Sequence, residues 1–93
     1  MNKQMEKSVF SERLGQVLHE QGLRQVDLLE KAKSIAENSN TKITKSDLSQ
    51  YISGKVIPGT EKLSLIALTL RVNEAWLLGF YAPKERNGQT FDL

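Results

Sequence analysis

The sequence predicts a compact all-α domain of five helices, and three observations lead to this fold class. Apolar residues recur at helical spacing in five separate segments of the chain. No segment alternates apolar and polar residues over the length of a strand, so no β-strand is predicted. The 93 residues suffice for one domain but not for two, and the absence of cysteine excludes disulfides and thiolate metal sites.

The first two helices are predicted from their apolar stripes and from the residues at their ends. The first helix follows a capping serine and ends at Gly22, where a left-handed residue belongs. The second runs from about Gln25 to Glu37, because the polar segment 38–42 is rich in turn formers. The residues behind these two predictions are the caps Ser8 or Ser11 and the apolar Phe10, Leu14, Val17, Leu18, Leu28, Leu29, Ala32, Ile35 and Ala36.

The last two helices lie in the second half of the chain. The fourth helix is predicted over residues 60–71, after Pro58, and Asn73 caps a short fifth helix. Their apolar positions are Leu63, Ile66, Ala67, Leu70, Trp76, Leu77 and Phe80. Beyond the fifth helix no periodicity remains. We therefore expect a domain over residues 1–83 and a linker or disordered tail over residues 84–93.

The third helix, predicted between Thr44 and Gly54, has an unusual outer face. Thr44 caps the helix, and Asp47 lies three residues further on, which is the spacing of a capping box. The apolar Leu48 and Ile52 face the domain. The outer face carries short hydrogen-bonding side chains and one lysine, whereas a helix that needed only solubility would usually carry Glu and Lys there. These outer residues are Lys45, Ser46, Ser49 and Gln50.

Side chains of this kind suit the major groove of DNA. The groove is about 12 Å wide and displays the hydrogen-bonding edges of the bases. Lysine favours the acceptors of guanine, glutamine can pair bidentately with adenine, and serine can donate or accept. The free amides at a helix N-terminus also attract phosphate. The pattern alone leaves two readings open: a DNA-reading helix, and a solvated face in a protein-interaction bundle.

Charge and composition narrow the classes of function. The net charge is only +2, but between residues 31 and 60 five lysines stand against Glu37 and Asp47. His19 is the only histidine, and neither a nucleophile elbow nor a glycine-rich phosphate loop occurs. We therefore expect no enzyme, no cofactor and no metal. No apolar run approaches the ~20 residues of a membrane span, and the start lacks a signal-peptide core, so we expect a cytoplasmic protein.

Three stretches of the chain resemble one known family. "LRQVDLLEKA", "ITKSDLSQYISGKVIPG" and "LIALTLRVNEAWLLGF" look like the lambda-repressor-like helix-turn-helix family, also called the XRE or Cro/CI type. The resemblance is greatest to the N-terminal domains of lysogeny repressors from temperate phages of Gram-positive hosts, and it covers residues 10–83. The residues that match the family pattern in order are Leu23, Gln25, Leu48, Ser49, Tyr51, Gly54 and Pro58.

The resemblance implies roles for particular residues in DNA binding. Gln25 is expected to touch a phosphate or a base edge and to brace the third helix. Lys45, Ser46, Ser49 and Gln50 are expected to face the groove, with Ser53 and Lys55 against the DNA backbone. The full set of expected DNA-binding residues is Arg24, Gln25, Lys42, Lys45, Ser46, Ser49, Gln50, Ser53 and Lys55.

The sequence departs from the family pattern at two places. The family has Ser or Thr before the glutamine of the second helix, whereas this chain has Arg24, whose side chain offers no acceptor for capping. The usual turn of about four residues is replaced by something like residues 33–43. An enlarged turn between the second and third helices would change the angle at which the third helix approaches DNA.

The function expected from these observations is that of a sequence-specific DNA-binding transcriptional repressor, or its DNA-binding domain, acting in the bacterial host cell in a phage lysis-lysogeny switch. Its partners would be a palindromic double-stranded operator, a second copy held in a weak homodimer, and an antirepressor protein. A C-terminal oligomerisation domain missing from this chain would complete the dimer. The alternative is a helical protein-interaction module, antitoxin-like or antirepressor-docking, to which Leu65 and Leu68 would contribute.

Overall fold

The structure, a computed structural model, describes residues 8–86 and is all-helical. Its helices are α1 (Val9–Gln21), α2 (Gln25–Ile35), α3 (Lys45–Ser53), α4 (Thr60–Leu70) and α5 (Glu74–Leu78). Over this range no strand forms, and β pairing is limited to one isolated antiparallel bridge between Val72 and Glu85. The predicted all-α class and the five helices are confirmed.

The capping residues explain where the helices begin and end. The Ser8 hydroxyl accepts from the amide of Ser11 at 3.1 Å, so Ser8 rather than Ser11 is the N-cap of α1. Gly22 and Gly54 end α1 and α3 with φ of 67° and 86°, a backbone region that glycine occupies without steric cost. α4 ends one residue earlier than predicted, because Arg71 adopts the left-handed conformation (φ 63°) without being glycine.

The core lies between all five helices. α1 packs against α3 and α5, α2 packs against α3 and α4, and α4 also contacts α5. Each helix contributes at least one fully or almost fully buried side chain to this core. The largest of these are Phe10, Leu14, Val17, Leu28, Leu48, Ile66, Leu70 and Leu77. Burial of such side chains contributes about 1.5–3 kcal/mol each. Because α3 packs against both α1 and α2, the core fixes its position from two sides.

Besides the end of α4, four sequence expectations about the core and the helix ends need correction. α2 stops at Ile35 instead of Glu37, because the chain turns back and the amide and hydroxyl of Ser39 both donate to the carbonyl of Ala36. Ile35 is 47% exposed and does not join the core. Phe80 is 63% exposed, because α5 ends at Leu78 and the backbone turns at Gly79. Leu65 is buried, so it cannot belong to an exposed interface.

The segment after α5 packs back onto the helices. Asn73 donates its amide to the carbonyl of Lys84 at 2.9 Å, and the Lys84 ammonium pairs with Glu20. Arg86 pairs with Glu74 at 2.6 Å. Packing therefore continues three residues past the predicted boundary at residue 83. The rest of the predicted tail, 87–93, and the first seven residues lie outside the described residues, so the division into a domain and a tail remains a prediction.

Candidate nucleic-acid interface

α3 has one buried face and one exposed polar face. Leu48 is fully buried, and Tyr51 is almost fully buried with its ring edge-on to Phe10, at a centroid distance of 6.2 Å. Burial raises the pKa of the Tyr51 phenol, as expected when the charged form loses its hydration. The opposite face has helical spacing i, i+1, i+4, i+5 and i+8. It is formed by the exposed residues Lys45, Ser46, Ser49, Gln50 and Ser53.

The start of α3 is fixed both locally and to another helix. Thr44 accepts from the amide of Asp47 at 2.9 Å, and Asp47 accepts from the amide of Thr44 at 3.0 Å, which completes the predicted capping box. The same carboxylate accepts from Lys62 of α4 at 3.0 Å. The Thr44 amide, followed by the Lys62 ammonium, lowers the pKa of Asp47. Lys62 therefore ties the beginning of α3 to α4, and it offsets the negative charge of Asp47 at this end of the helix.

Most of the polar groups on the exposed face of α3 have no partner within the protein. Within residues 8–86, the side chains of Lys45, Ser46, Ser49 and Gln50 make no hydrogen bond or ion pair. Ser53 differs, because its hydroxyl donates to the carbonyl of Gln50 at 3.1 Å. Unpaired donors and acceptors on a fixed helix remain available to a ligand that presents its own hydrogen-bonding edges.

The other predicted site residues flank this face. Lys42 is exposed in the connection before α3, and Lys55 is exposed directly after its C-cap glycine. Neither lysine forms an ion pair with any residue that the structure describes. Residues 36–44 form the connection between α2 and α3, so the turn is indeed longer than the usual about four residues. Ile43 anchors it by packing into the core.

The start of α2 carries Arg24 and Gln25, both exposed. Asp27 accepts from the backbone amide of Arg24 at 2.8 Å, and its two oxygens accept from the guanidinium at 3.0 Å each. These bonds lower the pKa of Asp27 to about 2 and raise that of Arg24. Arg24 caps nothing, since a guanidinium cannot accept. The Arg24 side chain is 78% exposed, and its guanidinium lies against the Asp27 carboxylate.

Two features of the site were missed from the sequence. Lys62 lies 15 residues from Asp47, and no local spacing rule connects them. The Arg24–Asp27 pair was readable in principle, since opposite charges three residues apart at a helix start can meet. The described range contains no group of three or more His, Asp or Glu side chains placed to hold a metal ion. None of the helices in that range is long and apolar enough to cross a membrane.

Comparison with protein-family models and with curated proteins finds no match for this chain. The class of this protein is therefore described from its fold and its candidate site alone. Over residues 8–86 the chain is an all-α domain of five helices. It presents one polar helix face whose hydrogen-bonding groups are mostly unpaired within that range, with Lys42 and Lys55 on either side.

Proposed function

We propose that this chain is a sequence-specific DNA-binding repressor, or the DNA-binding domain of one, that reads a palindromic operator with α3 in the major groove. One observation carries the proposal: the outer face of α3 holds short polar side chains that the described protein leaves unpaired. A helix is about 10–12 Å across with its side chains, and the groove is about 12 Å wide. The resemblance to lambda-repressor-like domains points the same way.

The residues divide into base readers and phosphate binders on chemical grounds. Gln50 can pair bidentately with adenine, Lys45 suits the acceptors of guanine, and Ser46 and Ser49 can either donate or accept. Lys42 and Lys55 flank the helix and suit phosphates, as do Arg24 and Gln25 at the N-terminus of α2. The pairing of Asp47 with Lys62 supports this assignment, because an unpaired carboxylate at the groove would repel phosphate.

Repression follows from occupancy of the operator. A domain of this size covers a small area of DNA, so one copy binds weakly. Two copies on half-sites ~34 Å apart supply the affinity and block a promoter that overlaps the operator. We propose a chain that is monomeric or weakly dimeric in dilute solution and pairs on the palindrome, in the bacterial cytoplasm. A lysis-lysogeny switch is the setting that the family resemblance implies.

The proposal is tested by selecting DNA from a random duplex library with the purified chain and titrating the enriched sequence against salt. We expect an inverted repeat to be enriched and log K to fall linearly with log salt, by ~0.9 for each phosphate contact. The control is the triple variant Lys42→Gln, Lys45→Gln, Lys55→Gln, which should flatten the slope. Failure to enrich any sequence would contradict the proposal and favour the protein-interaction alternative, which retains Leu68 but has lost Leu65 to the core.

A further inference from the structure

A groove runs between α2 and the end of α4, away from the candidate DNA-binding residues. It has a volume of about 670 Å³, and none of its lining residues is among the nine that the sequence predicts to bind DNA. Its lining residues are Lys31, Ser34, Ile35, Leu68, Thr69, Arg71 and Arg86. We refer to the apolar Ile35 and Leu68 as its floor and to the cations Lys31, Arg71 and Arg86 as its rim. We call this feature the basic groove. Its chemistry is unlike that of the α3 face, where the groups are mostly uncharged.

The floor of the basic groove is unusually exposed for two large aliphatic side chains. Ile35 is 47% exposed and Leu68 is 46% exposed. Both lie off the buried stripes of their helices, so neither is needed to hold α2 against α4. Adjacent exposed apolar side chains rimmed by charged ones are typical of a surface that binds another protein.

The rim of the groove has a single sign of charge. No carboxylate is found among the described residues that line it. Arg86 is committed to Glu74 at 2.6 Å, whereas Lys31 and Arg71 form no ion pair within residues 8–86. Cations near a helix C-terminus also offset the helix dipole, which is a structural reason for the charges. The dipole does not explain the apolar floor between them.

Two other occupants fit the groove less well. In a symmetric pair of copies each groove would meet the same groove of its partner, and Lys31 and Arg71 would then face like charges. DNA would supply the complementary charge, but its phosphates offer nothing to bury against Ile35 and Leu68. A segment that carries both acidic and apolar side chains satisfies the floor and the rim together.

We propose that the basic groove binds an acidic amphipathic helix of a partner protein, with its apolar side chains on Ile35 and Leu68 and its carboxylates on Lys31 and Arg71. The groove lies between two helices, which is the arrangement that admits an amphipathic helix. The proposal does not rest on DNA binding. Because the groove and the α3 face share no residues, the partner helix and DNA can bind the same copy at once.

The test uses a fluorescein-labelled helical peptide with leucines at i, i+3 and i+7 and flanking glutamates, and it measures fluorescence anisotropy with the full chain. The matched control peptide has glutamine in place of every glutamate. Ile35→Ser is compared with Ile57→Ser, because Ile57 is similarly exposed (53%) but lies outside the groove. Lys31→Gln is compared with Lys55→Gln in the same way. Thermal melts confirm that each variant is folded.

We expect Ile35→Ser to weaken peptide binding about tenfold, and Lys31→Gln to weaken it less and to reduce its salt dependence. The two control variants should bind the peptide as the original chain does. Lys31→Gln covers the case in which Ile35→Ser does not fold, since Lys31 is exposed and unpaired. Operator binding by Ile35→Ser should be unchanged, so loss of the peptide site and failure of the DNA-binding proposal are told apart.

Several outcomes would overturn the proposal. Equal binding of the glutamate and glutamine peptides would show that acidic side chains on the partner are not needed. Equal effects of Ile35→Ser and Ile57→Ser would show non-specific apolar binding. Self-association of the chain that Ile35→Ser abolishes would assign the groove to a second copy, and competition by duplex DNA at the groove would assign it to nucleic acid. Much tighter peptide binding by a chain ending at residue 86 would assign it to residues 87–93 of the same chain.

Discussion

The starts of α2 and α3 share one hydrogen bond, from the N-cap amide to an aspartate, but differ in the side chain of the N-cap residue. In both, an aspartate three residues into the motif accepts from the backbone amide of the N-cap residue, at 2.8 Å for Asp27 and 3.0 Å for Asp47. At α3 the N-cap Thr44 returns the bond with its hydroxyl. At α2 the N-cap is Arg24, which has no acceptor and instead places its guanidinium on the aspartate.

The second difference is that only one of the two aspartates contacts another helix. Asp47 also accepts from Lys62, so the start of α3 is joined to α4. Asp27 pairs only with Arg24, its own N-cap residue, among the described side chains. The start of α3 is therefore fixed relative to the body of the protein, which hydrogen bonding to base edges requires. The start of α2 instead carries an exposed guanidinium that is held on Asp27 of the same helix.

The largest expected effect separates base reading from phosphate binding. If α3 reads DNA as proposed, Gln50→Ala should cost ~1–3 kcal/mol on the selected operator and change affinity for random DNA little, because it would remove a contact to a base edge. The measurement is fluorescence anisotropy with both duplexes at one salt concentration. Lys55→Ala is the matched control and should weaken both complexes. A loss of equal size on both duplexes for Gln50→Ala would place Gln50 against the DNA backbone.

The next effect concerns the hydroxyl that only α3 possesses. Thr44→Ala removes the acceptor for the Asp47 amide and should lower the free energy of unfolding by about 1 kcal/mol. Thr60→Ala is the matched control, because Thr60 is exposed and follows the N-cap Gly59 without serving as a cap itself. Urea unfolding followed by circular dichroism measures both. If the two variants were equally stable, the reciprocal box would contribute nothing to α3.

A smaller effect concerns acid, and it acts mainly at α2. The pKa of Asp27 is about 2 in the folded chain against about 3.9 when unfolded, so the unfolded chain binds the proton first as pH falls. The stabilisation is present above pH ~4 and is lost as pH falls toward about 2. Asp27→Asn should make the melting temperature depend less on pH between about 2 and 4, as measured by thermal melts at several pH values.

Repeating the pH series at high salt is the control for this acid effect. The Arg24–Asp27 pair is exposed, so at about 1 M salt it is largely screened, and the original chain should then resemble Asp27→Asn more closely. Asp47→Asn provides the comparison at α3, where the lowered pKa depends first on the Thr44 amide. If Asp27→Asn left the acid dependence unchanged at low salt, the pair would have no part in stability.

The sequence predicted the helices well because their signals are local. The apolar stripe and the cap of α3 lie within ten residues, and Thr44, Asp47 and Gly54 took the predicted positions. The exposed polar face of α3 was predictable for the same reason. Phe80 was misplaced because periodicity alone does not show that the chain turns at Gly79. Leu65 was misplaced because α4 is covered on more than one side, by α2 as well as by α5.

What the sequence could not give depends on pairs distant in the chain. The Asp47–Lys62 contact and the basic groove, which joins Ile35 to Leu68, both depend on how α2, α3 and α4 pack together. Spacing rules describe neighbours on one helix and are silent about such pairs. The same limit applied after α5, where Lys84 contacts Glu20 of α1 and its ammonium lies 5.5 Å from the centre of the Trp76 ring.

The smallest effect on stability tests whether Arg24 is used. Arg24→Ser would supply the missing acceptor and give α2 the same reciprocal box as α3, at the expense of an exposed ion pair, which is weak. We expect the free protein to become slightly more stable. Affinity should fall for every DNA sequence alike, and the salt slope should shrink by about one unit per half-site. Lys33→Ser removes another exposed cation of α2 and controls for the change in net charge.

Arg24 must leave Asp27, at least in part, to contact a phosphate, since one guanidinium edge is already occupied. Asp27→Asn weakens that hold and retains an acceptor for the Arg24 amide, so it should slightly strengthen DNA binding if Arg24 moves to phosphate. The two variants therefore shift affinity in opposite directions on this hypothesis. Raised stability of Arg24→Ser with unchanged DNA binding would assign Arg24 to Asp27 alone. The asymmetry between the two helix starts would then be a matter of local stability and not of DNA recognition.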